Sequence, residues 1–91
     1  MENKQWVVYI LECKDTTLYT GITDNFDKRF RAHSQGKGAK YTRGRGPFKL
    51  RYLQLCEDVS QALRQEAQIK KLSRHQKLIL CAQYENRNPP H

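Results

Sequence analysis

Residues 6–22 read Trp-Val-Val-Tyr-Ile-Leu-Glu-Cys-Lys-Asp-Thr-Thr-Leu-Tyr-Thr-Gly-Ile. β-Branched and aromatic residues crowd 6–13 and 17–22, the composition of strands, and the polar Lys14-Asp15-Thr16 between them is turn material. The segment therefore predicts a β-hairpin. A three-residue loop sets Tyr9 opposite Gly21 and Leu11 opposite Tyr19, and because side chains alternate with a period of two, both tyrosines then share one face. A four-residue loop reverses that parity.

Downstream, Thr23, Asp24 and Asn25 each suit a helix N-cap, which predicts a helix over 26–35 that Gly36 ends. Helical spacing puts Phe26, Arg29, Phe30 and His33 on one face. An arginine and a histidine among aromatics are more than a plain core face needs. The glycine-rich, basic stretch 37–47 reads as a flexible loop. It is not a Walker A loop, because Arg31 stands where the first glycine should fall and no Ser or Thr follows Lys37. Residues 48–57 predict a third strand, and 59–73 a helix capped by Asp58. In that helix Val59, Ala62, Leu63 and Ile69 form an apolar stripe with Glu66 in its middle. A carboxylate there requires a partner, a proton or a bound cation. Residues 73–84 predict a last helix that buries Leu78, Ile79, Leu80 and Ala82. The order β-β-α-β-α-α is an α+β fold, a small three-stranded antiparallel-type sheet flanked by helices. One domain over 1–84 with a flexible tail over 85–91 is expected.

With 91 residues, the chain is too short for doubly wound nucleotide-binding folds or eight-stranded α/β barrels. Its 17 Lys and Arg against 9 Asp and Glu give a formal charge of +8. Nine of those cations (Lys28, Arg29, Arg31, Lys37, Lys40, Arg43, Arg45, Lys49 and Arg51) fall in 24 consecutive residues that hold no acid. The whole excess is thus one block, with Tyr41 inside it, which points to phosphate binding rather than to a merely solubilising surface. Lys28, Arg31, Lys37, Lys40, Tyr41, Arg43 and Arg45 are the candidate nucleic-acid contacts. Cys13, Cys56 and Cys81 are odd in number and widely spaced, so they read as reduced thiols packed as small apolar groups, with no zinc-type cluster. The apolar run 6–11 is too short for a secretion signal or a membrane span, and a cytoplasmic protein is the expectation.

Val8-Tyr9-Ile10 followed ten residues later by Tyr19-Thr20-Gly21 resembles the paired motif of the GIY-YIG nuclease superfamily. Further markers follow in order: Asn25 to His33 with Arg29 inside it, the segment Gly38-Ala39-Lys40-Tyr41-Thr42-Arg43, and Glu66 within 64–71. The resemblance spans roughly residues 6 to 80 and is nearest to the small stand-alone bacterial branch. It departs in carrying Val-Tyr-Ile in the first motif, and in leaving only Asn86 and Asn88 where many relatives have a late asparagine.

The resemblance implies a phosphodiesterase that uses one divalent cation, Mg2+ or Mn2+, held by Glu66. It implies Tyr9 as general base toward the attacking water, Tyr19 as an orienting group, Arg29 as the stabiliser of phosphate charge and His33 as a hydrogen-bonding partner, with Gly21 a structural element of the motif. Tyrosine, with a reference pKa of about 10, is a weak base at neutral pH, so neighbouring cations are expected to favour its phenolate. Magnesium keeps most of its waters, so one carboxylate is a sufficient protein ligand. The expected substrate is nucleic acid, DNA before RNA, cut by a monomer or a transient dimer in repair, recombination or restriction. No base-reading motif is visible, so selectivity would be for shape. The plainer readings keep Tyr9 and Tyr19 as strand aromatics, Gly21 as a bulge marker, Arg29 as a phosphate clamp and Glu66 as half of an ion pair. Together they amount to a non-catalytic nucleic-acid-binding module with a vestigial site.

Overall fold

A strand whose successive residues are all apolar suits the middle of a sheet covered on both faces. Val7–Glu12 (β1) holds that position in the computed structural model, which describes residues 4–88. Leu18–Thr23 (β2) and Lys49–Leu55 (β3) pair with it on either side, both antiparallel, in the order β2-β1-β3. The loop has three residues, and Tyr9 faces Gly21 while Leu11 faces Tyr19. Thr16 closes the turn in the left-handed region at φ 68°. The Asp15 carboxylate accepts from the Thr17 amide at 3.2 Å and the Thr17 hydroxyl at 2.6 Å, an Asx turn that secures the loop.

The sheet separates two cores. Val8 and Ile10 project toward Val59–Lys70 (α2) and Arg74–Arg87 (α3), where they meet Cys56, Ala62, Ile69 and Cys81. Val7, Tyr9 and Leu11 project the other way, onto Phe26 and Phe30 of Phe26–Ser34 (α1) and onto Phe48, Leu50 and Leu53. Asn25 caps α1 by accepting the Lys28 amide, Asp58 caps α2 through Gln61, and Ser73 with Gln76 forms a capping box on α3. The order β-β-α-β-α-α is the expected one. Among the described residues, no helix is long and apolar enough to cross a membrane.

Several expectations are corrected. Val59, Leu63 and Ile79 are exposed, at 41%, 51% and 46%, and so is Ala82. The buried line of α2 is centred on Ala62 and Ile69, which puts Val59 and Leu63 toward its outer side and Glu66 on its flank rather than in its middle. In α3 the buried position is Cys81, from which Ile79 lies roughly 160° around the helix at about 100° per residue. All three cysteines are free and buried, and burial pushes the Cys56 and Cys81 thiols up. Helix α2 stops at Lys70 rather than 73. Helix α3 runs on through Arg87, so residues 85–87 are helical and not a loose tail; residues 89–91 lie outside the described ones.

A contact remote in sequence ties the last turns of α3 to the sheet. The β1–β3 register shifts between Ile10 and Leu11, leaving Arg51 as an extra residue in β3. Arg51 bonds Glu12 on β1, and its Nε donates to Glu85 Oε1 on α3 at 2.5 Å. The two carboxylates hold Arg51 above its ordinary range against the opposing effect of burial.

The burial pattern predicts unequal effects of like substitutions. Ile10→Ala should lower stability by about 2–5 kcal/mol, and Ile79→Ala by no more than roughly 0.5 kcal/mol. Urea unfolding of both variants checks this, and equal losses would contradict the assignment of Ile79 to the surface.

Candidate functional site

Register brings the two tyrosines to the α1 side of the sheet. Tyr9 is fully buried, and its ring centroid lies 6.3 Å from that of Tyr19, 5.4 Å from Phe26 and 6.0 Å from His33. Such a cluster needs space beneath it, and Gly21 supplies it. A Cβ at that position would stand 2.6 Å from Tyr9 Oη and 3.0 Å from Tyr19 Cε2, closer than packed atoms approach. Gly21 is required by this close approach.

The α1 face carries the residues its spacing predicts. His33 is buried, with Nε2 2.9 Å from Tyr9 Oη and Nδ1 2.8 Å from Thr42 Oγ1. Burial, with Arg29 nearby, lowers the His33 pKa and keeps the ring neutral at pH 7. Tyr9 is pushed up to about 12, first by burial and then by the Tyr19 hydroxyl, with Arg29 pulling the other way and Glu66 adding a smaller rise. Arg29 favours the phenolate, as expected of a neighbouring cation, but in the protein alone desolvation outweighs it.

Stretch 37–47 is more than a flexible loop. Lys40–Thr42 forms a turn of 3-10 helix, Thr42 is buried against His33, and Gly38 packs so closely on the imidazole that a Cβ there would sit 2.9 Å from His33 Cα. Tyr41, 44% exposed, stacks on Tyr19 at 5.9 Å between centroids, and the Arg45 guanidinium lies over its ring, 4.5 Å from the centroid. Arg45 also pairs with Asp15. Lys28, Arg31, Lys37, Lys40 and Arg43 are exposed and form no ion pair among the described residues. Arg51, counted in the same block, is committed to Glu12 and Glu85.

Glu66 comes from α2, which packs on β2 and β1. Its side chain is 20% exposed, and its carboxylate lies 3.5 Å from Lys70 Nζ. Among the described residues no three His, Cys, Asp or Glu side chains gather as a metal cluster. One hard, partly exposed carboxylate suits a magnesium-like ion that keeps most of its own waters, and does not suit a four-coordinate zinc. Asn88 instead caps α3 and lines the groove between β3 and α3, whose lining includes none of the clustered residues.

Charge summed along the chain misses part of the surface. Lys70 and Lys77 line a groove of about 300 Å³ with Leu18, Tyr19, Thr20 and Tyr41, across the β2 edge, and Arg74 continues it beside Thr17. Thr42, between the candidate contacts Tyr41 and Arg43, joins the site through its contact with His33.

Residues 5–78 match the GIY-YIG catalytic-domain family. A UPF0213 protein of Clostridium perfringens is 59% identical over 75 residues, covering 82% of this chain and 81% of its own length. Two solution NMR structures share the architecture. A UPF0213 protein from Bacillus halodurans is 46% identical with a TM-score of 0.58, over 92% of this chain and 94% of that one. A protein from E. faecalis is 35% identical with a TM-score of 0.64, over 100% and 98%.

Because His33 has a lowered folded pKa, between that value and the unfolded value of about 6.5 the unfolded chain binds a proton that the folded chain does not. Its contribution to stability is complete above that window and is lost as the pH falls through it. Moving from pH 7.5 to 5.5 should lower the urea midpoint, and His33→Gln should flatten the dependence. An unchanged slope in the variant would contradict the assignment.

Proposed function

Since the chain belongs to the GIY-YIG catalytic-domain family, a family of nucleases, we propose that it is an endonuclease hydrolysing phosphodiester bonds in DNA, dependent on one divalent cation. The observation that carries this reading is the buried Tyr9–His33 pair, beside Arg29 and within electrostatic reach of Glu66. A fully buried tyrosine hydroxyl bonded to a neutral imidazole, with a cation and a carboxylate alongside, is more than sheet packing requires.

In this reading Tyr9 takes a proton from the attacking water, and Arg29 stabilises negative charge on the phosphate. Tyr19 orients groups at the site, and Tyr41 and Arg45 border its approach. Glu66 would hold the ion, Mg2+ or Mn2+, which supplies charge stabilisation at the scissile phosphate and leaving oxygen and helps bring Tyr9 within reach of ionisation. Before that, Lys70 balances the Glu66 carboxylate. The exposed cations Lys28, Arg31, Lys37, Lys40 and Arg43 engage the phosphate backbone, which carries no base information, so the substrate is selected by shape. A monomer with one site cuts one strand at a time; cutting a duplex takes two encounters or a transient dimer.

With Mg2+ or Mn2+ the protein should nick DNA. Glu66→Gln and Tyr9→Phe should each reduce cleavage by roughly 100-fold or more while binding survives. Five phosphate contacts give a slope of roughly −4 in log affinity against log salt, and replacing Lys37 and Lys40 with alanine should flatten it by about 2. Salt-dependent binding without cleavage of single-stranded, duplex or branched substrates would leave the binding-module reading instead.

A further inference from the structure

An imidazole bonded at both nitrogens adopts one tautomer when the direction of either bond is fixed. Thr42 fixes one here. Its hydroxyl oxygen lies 2.8 Å from the Ala39 carbonyl oxygen and 2.8 Å from His33 Nδ1. A carbonyl only accepts, and two oxygens at that distance without a hydrogen between them repel, so the Thr42 O–H donates to Ala39. The Thr42 amide donates to the same carbonyl at 3.0 Å, which holds the turn in place. The Thr42 oxygen must then accept from His33, so the hydrogen of the neutral ring is on Nδ1. Nε2 is left bare, and Tyr9 Oη, 2.9 Å away, is the donor.

We infer that Thr42 is a positioning residue for the proposed hydrolysis: it holds His33 as the Nδ1–H tautomer, so that Nε2 receives the Tyr9 proton. This rests on the nuclease reading. In the transfer the Tyr9 O–H bond breaks and an N–H bond forms at Nε2, giving a phenolate and an imidazolium whose Nδ1–H stays on Thr42. The phenolate takes a proton from water, restoring Tyr9 and leaving hydroxide to attack phosphorus. The imidazolium returns its proton to the departing alkoxide, directly or through solvent.

The groups facing the pair are Tyr19 from β2, Arg29 from α1, Glu66 from α2 and the apolar Phe48 preceding β3. Arg29 and burial both oppose a standing imidazolium, so the Nε2 acceptor is free of a proton at neutral pH. In the other tautomer Nε2–H would point at Tyr9, and the tyrosine would have nowhere on this ring to leave its proton.

Long-range 1H–15N spectra of the imidazole in the metal-free protein, without nucleic acid, decide the tautomer directly. Wild type and Thr42→Ser should show hydrogen on Nδ1, and Thr42→Val should shift population toward Nε2–H. In cleavage assays Thr42→Ser should remain within about 3-fold of wild type, while Thr42→Val should lose roughly 10- to 100-fold in kcat with a displaced acid limb. An Nε2–H tautomer in wild type, or Thr42→Val with the wild-type tautomer, rate or pH profile, overturns the proposal. If wild type cleaves nothing, the catalytic role falls with the nuclease reading, and the spectra still decide what Thr42 does to His33.

Discussion

Everything in this molecule hangs on β1 being buried on both faces. From Val7 to Leu11 no side chain reaches solvent, so the strand cannot slip by one residue without exchanging its two sets of side chains. Such a slip would send the Tyr9 hydroxyl into the apolar layer formed with α2 and α3, and Ile10 against His33. Register therefore does two tasks at once. It fills both cores, and it delivers the Tyr9 hydroxyl to the layer in which His33 meets it.

The cluster around Tyr9 shows how desolvation and charge compete within a few ångströms. Arg29 lowers the tyrosine and burial raises it, and in the protein alone burial prevails. The same two influences act together on His33, since both oppose its protonation. Burial among aromatic rings, with a cation nearby, thus keeps a neutral acid beside a neutral base. Bound cations are then what would change the balance, because the fold itself favours neither charged form.

The hairpin was legible in the sequence as two strand-like runs around a polar turn, its parity depending on the loop length that the structure supplies, and the α1 face was legible because Phe26, Arg29, Phe30 and His33 follow helical spacing. Features depending on distant partners were not. Thr42 is joined to His33 nine positions away by loop closure, which no periodicity announces. Lys70 and Lys77 reach the β2 edge by helix packing, whereas counting charge along the chain sets them against acids without regard to where any of them lies. The exposed Val59, Leu63 and Ile79 mislead for a different reason: side-chain hydropathy outranked angular position, and Cys81 is too small to advertise a core.

The bulge at Arg51 has a consequence for how the chain tolerates changes in length. Leu50 and Tyr52 already project to opposite faces, toward Leu11 and Ile10 respectively, with Arg51 standing outside the alternation. A chain shorter by that one residue would keep every cross-strand neighbour and lose only the clasp on Glu12 and Glu85. Ladder and clasp are therefore separable by a single codon: the sheet's pairing is indifferent to the deletion, and the last turns of α3 are not.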